Sequence, residues 1–507
     1  MSTNYLRKQI MSKAVVELSQ DVSKSSFYSA DMAPSSLAER NWGVKDFAVF
    51  WVSLSACIPT YMLASSMIQH GMDWKQAMFT ILLGNIIVLI PILLNAHAGT
   101  KYGITFPIYC RSAFGILGAN VPAMLRALVA CGWFGIQTWI GGEALYILLG
   151  VFFPALKQLP NLAYLGINAG QLGCFLAFWA INVLVVIRGI DTIRWLLNIK
   201  APLMIVLGIA FLVWAWVEAK GFGPMLARPS EFVAGGSQSG QFWSVFFPHL
   251  TATVGFWATL SLNIPDFSRY AKSQSSQMIG QALGLPASMV FFSFIGIAVT
   301  SATVVLMKHV EWNPIVVLGN FENPIILIVA MTSICLATLA TNIAANVVGP
   351  ANDFVHLAPK LLSFRTAAII SCILGILIQP WNLVSDPSGY IFHWLIAYSA
   401  ILGAVGGVLI ADYFILRRTN IDLADLYRRE GRYWYVGGFN VCAMIALVVG
   451  IAPTLPGLIS DLHPAIVVDP FWSNLYQYAW FVSFGIAMFI YLITMLVSGA
   501  HRSPARR

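Results

Sequence analysis

Apolar runs of membrane length, separated by short polar turns, recur along the whole chain. Hydropathy read in windows of about 19 residues predicts twelve helical spans, near 46–69, 76–97, 119–149, 170–188, 198–218, 242–264, 281–307, 323–348, 365–381, 389–416, 436–456 and 473–499. Against that background, polar interruptions stand out. The strongest runs from Gly255 to Pro265, G-F-W-A-T-L-S-L-N-I-P, where Ser261, Asn263 and Pro265 interrupt an apolar helix. Proline removes a backbone donor and clashes with the carbonyl one turn back. The freed polar groups at membrane depth must then face a cavity, water or a ligand. The phrase occurs twice: Trp51-Val-Ser-Leu-Ser-Ala-Cys-Ile-Pro59 and Trp257-Ala-Thr-Leu-Ser-Leu-Asn-Ile-Pro265 share W-x-[ST]-L-S-x-x-I-P. A chance match of common residues is one reading. The other is a pair of broken helices in corresponding positions of two halves, which points to the substrate site of a secondary transporter.

Composition agrees with the spans. Of 507 residues, 58% are hydrophobic and 10% charged, with mean hydropathy +0.75, which describes a polytopic membrane protein and no ordinary soluble domain. A net charge of +8 would suggest nucleic acid in a soluble protein, but topology accounts for it better here. With the N-terminus placed inside, all of the 29 Lys and Arg fall on the cytoplasmic side except Lys75, Lys157, Lys220, Arg228, Lys308 and Arg126, the last near the start of span three. This asymmetry predicts both termini inside and an even number of spans. The seven cysteines are scattered through apolar stretches, so they imply neither disulfides nor zinc. The first forty-odd residues are polar and Ser-rich, a mobile tail by composition.

Span three carries A-C-G-W-F-G-I-Q-T-W-I-G-G-E (130–143). Trp133 and Gln137 are four apart and share a helix face, an aromatic plate beside an amide that both donates and accepts. Taken by themselves, an interfacial tryptophan and a helix–helix glutamine are a commoner reading than a ligand site. Glu143 is an ionisable group deep in a span, by default a functional residue, set about 120° around the helix from Gln137; coupling and an interhelical bond are both open to it. His249 and His393 read as satisfied interhelical histidines. In span eight, Thr338, Thr341, Asn342 and Asn346 form one inward polar stripe at spacings of three and four.

These stretches resemble the nucleobase:cation symporters of the first class, the uracil, purine-cytosine, allantoin and hydantoin permeases. The resemblance covers nearly the whole chain through A-E-R-N-W-G (38–43), W-F-G-I-Q-T-W (133–139), L-N-I-P-D-F-S-R-Y (262–270), A-T-N-I-A-A-N (340–346), Q-P-W (379–381), A-D-Y-F-I-L-R-R (411–418) and D-L-Y (425–427). It implies an all-α fold of twelve transmembrane helices. A five-plus-five inverted repeat of the leucine-transporter type (46–218 and 242–416) would be followed by two further helices (436–499), with cytoplasmic tails at 1–45 and 500–507. It also implies a planar heterocycle stacked between Trp133 and Trp257, its edge read by Gln137 and Asn346, with Phe256 and Cys57 tuning substrate choice. The family's sodium site maps to carbonyls of Ser53, Ala56 and Ala337 and to two hydroxyl positions. One of these is Thr341 and the other is Ala340, which has none, so proton coupling through Glu143 gains on sodium.

The resemblance implies no cofactor, no nucleic-acid partner and a monomer in the plasma membrane that imports a nucleobase, uracil or a purine ahead of a ureide. A sodium-driven allantoin or hydantoin permease is the alternative. A membrane enzyme would need H-E-x-x-H, G-x-S-x-G or a metal cluster, none of which occurs in a fitting context. A channel has no use for two plates that clamp a ring.

Overall fold

The computed structural model describes residues 15–188, 190–358 and 360–500. Residues 1–14 and 501–507, with Arg7, Lys8, Lys13, Arg502, Arg506 and Arg507 of the charge argument, lie outside the described residues, as does the side chain of Arg194.

Helix α1 (Val44–Ser55) stops short and α2 (Ile58–Gln69) resumes at an angle of 61°. Next come α3 (Trp74–Tyr102), α4 (Asn120–Phe152), α5 (Ala169–Arg188) and α6 (Ile190–Glu218). Helices α7 (Phe242–Phe256) and α8 (Ala258–Asn263) are pieces of one span, followed by α9 (Gln274–Met307) and by α10 (Pro324–Asn346) with its continuation α11 (Val348–Leu357). The last are α12 (Phe364–Leu377), α13 (Ala397–Ile410), flanked by π-helical turns at Gly389–Ile396 and Ala411–Leu416, α14 (Val441–Ile451) and α15 (Ala479–Ser498). Among the described residues eight helices are long and apolar enough to cross a membrane, or nine with the bent α1–α2 pair. The shorter apolar part of α6, the broken α7–α8 and α12 supply the other three of the twelve expected spans. Several starts are written as capping residues: Asp73, Ser273, Asn323, Ser363 and Asn440 each accept a first-turn N–H.

The two breaks organise the interior. At the first, the Cys57 N–H turns back to the Ser55 carbonyl, so the Ser53 carbonyl loses its helical partner. The buried ammonium of Lys200, from α6, donates to that carbonyl. Lys200, expected among the charges on the cytoplasmic side, is therefore a structural donor at a helix break. The second span is interrupted twice, at Ile264 immediately before Pro265, as the sequence pointed to, and also at Trp257, which it did not single out as a break. The hydroxyl of Tyr398 on α13 takes the Gly255 carbonyl at 2.8 Å. Pro265 opens the short helix Pro265–Ser268, where its missing N–H costs nothing. Ser261 and Asn263 donate locally, to the Ala258 carbonyl and to Asp266, although Asn263 Oδ1 is buried without a partner.

The stretch expected to be a mobile tail is packed from residue 15 on. Val22 and Met32 are buried, and the Arg40 guanidinium donates to the carbonyls of Ser35, Thr100 and Val16. Nearby, Arg126 on α4 and Asp353 on α11 form an ion pair at 3.0 Å with both side chains sealed from solvent. Removing one partner of such a pair costs about 3–5 kcal/mol, while apolar replacement of both is close to neutral. Asp353→Ala should therefore lower the melting temperature in detergent far more than the double variant Arg126→Met/Asp353→Leu. Equal losses in the two would show that the pair is not the cause.

Candidate substrate site

A cavity opens where the two breaks meet α4 and α10. Its lining comes from Leu54, Cys57 and Pro59 at the first break, Phe256, Trp257, Thr259 and Leu260 at the second, Trp133 and Gln137 of α4, and Thr341, Ala345 and Asn346 of α10. It holds about 400 Å³ of atom-free space, part of it open to solvent. All six residues singled out as substrate-binding are thus brought to one place.

Aromatic packing fixes the walls. Phe256 stands edge-on to both indoles, 5.3 Å from Trp133 at 76° and 4.9 Å from Trp257 at 86°. Both plates are therefore roughly perpendicular to a common ring, a geometry compatible with two faces opposed across a slot. Trp133 is backed by Trp394 at 5.8 Å, and Gly132 is needed there, because a Cβ would meet the Trp394 ring at 2.2 Å. Trp257 leans on Trp51 at 5.1 Å and 89°, and its Nε1–H donates to Asn85 of α3 at 3.0 Å.

The two amides are treated differently. Asn346 Nδ2 donates to Asn342 at 3.1 Å, and Asn342 in turn reaches Thr138 and Asn182 at 3.0 and 3.2 Å. Gln137 makes no side-chain hydrogen bond among the described residues, and its Oε1 is buried without a partner. A buried amide oxygen left bare beside a cavity is the chemical mark of a group kept for something that enters.

The remaining candidates lie elsewhere. Glu143 is outside the lining and lies beside the Asn313 side chain, in the loop before a short helix at Pro314–Gly319. Of the five sodium-site positions, Ala56, Ala337 and Ala340 are buried small residues. The Ala337 carbonyl already accepts from Thr341 Oγ1 at 2.8 Å, and the Ser53 carbonyl accepts from Lys200. His249 meets His70 at 3.0 Å, and His393 meets Asp461 at 3.3 Å. Asn85, Asn182 and Lys200 were not singled out from the sequence, although each is a lone polar residue in an apolar span, the signal that drew attention to Glu143.

Over residues 34–483 the chain matches the family described as permeases for cytosine/purines, uracil, thiamine and allantoin. It is 43% identical over 475 residues to the purine-uracil permease NCS1 of Arabidopsis thaliana, covering 93% of this chain and 78% of that one. It is 36% identical over 469 residues to the allantoin permease of Bacillus subtilis, covering 92% and 93%. Among solved structures, Mhp1, a nucleobase-cation-symport-1 family transporter in a closed conformation with bromovinylhydantoin bound, superposes with a TM-score of 0.75 at 25% identity, covering 95% of this chain and 98% of that one. The chain belongs to the nucleobase:cation symporters of the first class. It is a multi-pass membrane transporter with the twelve-helix, five-plus-five fold of the leucine-transporter type, and its family is one of permeases rather than enzymes.

Because Asn85 is bonded and Gln137 is not, their replacements should affect stability oppositely. Asn85→Leu strands the buried Trp257 N–H, at about 1–3 kcal/mol, and should lower the melting temperature. Gln137→Leu removes an unsatisfied buried oxygen and should leave melting unchanged or raise it. A drop for Gln137→Leu as large as that for Asn85→Leu would assign Gln137 a structural role.

Proposed function

We propose that this chain imports a nucleobase or related cyclic amide, uracil or a purine base first, by proton symport. The ring lies between Trp133 and Trp257, its edge is read by Gln137 and Asn346, and Phe256 and Cys57 set which rings fit. The carrying observation is the bare Oε1 of Gln137 at a cavity bounded by two indoles. An amide edge complements adjacent N–H and C=O groups on a ring, and indoles stack on its faces. The names of the Arabidopsis and Bacillus relatives support the substrate class. In this reading residues 46–218 and 242–416 are the two repeats, and the protein acts as a monomer in the plasma membrane with both termini cytoplasmic.

Proton coupling is favoured over sodium on two grounds. Ala340 offers no hydroxyl to a hard cation that wants a full oxygen shell. The Ser53 carbonyl, a member of the sodium set, is already engaged by the Lys200 ammonium. A second cation placed there would meet like charge. Glu143, half-buried in α4 beside Asn313, is the group proposed to take and release the proton. A sodium-driven allantoin or hydantoin permease remains the second reading, favoured by the Bacillus relative.

In cells lacking their own permeases, labelled uracil or purine uptake should saturate. Gln137→Leu and Asn346→Leu should each abolish it with the protein still in the membrane, and near-normal uptake by both variants would sink the assignment. Uptake should rise as external pH falls and change little when choline replaces sodium. Glu143→Gln should lose accumulation against a gradient but retain exchange. Sodium-dependent uptake with an indifferent Glu143→Gln variant would restore the sodium mechanism.

A further inference from the structure

We propose that Asn342 is a positioning residue that locks Asn346 as a hydrogen-bond acceptor, so that the site selects rings presenting a ring N–H to α10. The inference rests on the reading of the cavity as the substrate site.

A side-chain amide looks alike from either end, and only partners with an unambiguous role can orient it. Backbone carbonyls, which only accept, provide that role here. Asn182 Nδ2 donates to the Phe178 carbonyl at 2.8 Å, so its Oδ1 is the end turned to Asn342. The Thr138 hydroxyl spends its hydrogen on the Phe134 carbonyl at 2.7 Å and can only accept from Asn342. Asn342 Nδ2 therefore stands among three acceptors, at 3.2 Å from the Phe134 carbonyl, 3.0 Å from Thr138 Oγ1 and 3.2 Å from Asn182 Oδ1. Reversing this amide would set its oxygen against all three, so its Oδ1 faces Asn346.

The orientation then passes on. Asn346 Nδ2 is held by Asn342 Oδ1 at 3.1 Å, and Asn346 lines the cavity with its oxygen uncommitted. Gln137, across the cavity, has no such clamp and is free to turn its amide to suit what it meets. The site thus has one fixed acceptor and one swivelling amide. The fixed one is satisfied by a ring N–H, as in the lactams uracil and hypoxanthine. It is repelled by a ring nitrogen lone pair at the same place, as at N3 of cytosine and N1 of adenine. Two members of the relay, Asn342 and Asn182, are fully buried and bonded on several sides, so the preference is built into the packing of α4, α5 and α10 and does not depend on the ligand.

The test is calorimetric titration of the purified full-length protein with uracil, cytosine, hypoxanthine and adenine. The wild type should bind each lactam at least about tenfold more tightly than its lone-pair counterpart, about the 1.4 kcal/mol of one well-placed hydrogen bond. Asn342→Leu frees Asn346 to turn, and the two ratios should fall to within about threefold. A purely structural role for Asn342 would weaken all four ligands together and leave the ratios intact, which would overturn the proposal. So would a wild type that binds cytosine or adenine as well as the lactams, a result that needs no variant. Binding of none of the four, nor of allantoin, would instead refute the reading of the cavity itself.

Discussion

Backbone polar groups released by a broken helix cannot be left to lipid, and most of the interior follows from how two such breaks are satisfied. The Ser53 carbonyl is met by the Lys200 ammonium from α6 and the Gly255 carbonyl by Tyr398 of α13, while the Tyr390 hydroxyl adds a bond to the Pro59 carbonyl at the start of α2, at 3.2 Å. Each donor comes from a different element, so α6 and the π-helical turn leading into α13 must close around the breaks. The space left between the two breaks, α4 and α10 is the cavity.

Within that enclosure, hydrogen bonds go to the frame more than to the site. Trp257 is pinned by Asn85, and Trp51 behind it donates to Gln281 on α9. Asn346 is pinned by Asn342, whereas Gln137 has no side-chain partner among the described residues. Rigid plates and one fixed amide beside a mobile amide make a site that is largely pre-formed, so little binding energy goes into ordering side chains.

Much of this was legible in the sequence, and the misses have physical causes. The spans could be read because each is a long apolar run; polar and aromatic groups inside such runs drew attention to Trp133, Gln137 and Asn346, but it was the family resemblance that assigned them and Trp257 to one site. The break before Pro265 could be read because a proline marks where a helix loses a bond. The further break at Trp257 could not, since the Gly255 carbonyl there is met by Tyr398, a partner 143 residues away that no local pattern reveals. Lys200 was counted only as a cytoplasmic-side charge because hydropathy gives no depth within a span, and its role depends on a carbonyl freed in α1. The N-terminal strap looked mobile because its anchors are backbone carbonyls, which leave no trace in composition.

The account stands on one ring sitting at the meeting of the two breaks. A second, apolar cavity lies on the far side of Cys57, lined by residues such as Met204, Phe211 and Phe292, and offers an alternative seat. The direct measurement is an experimental structure of the full-length protein with bound uracil, or with hypoxanthine should that bind more tightly. Ring density between Trp133 and Trp257, with Asn346 Oδ1 about 2.9 Å from a ring nitrogen, is the predicted result. Density in the apolar cavity, or away from both tryptophans, would contradict the account.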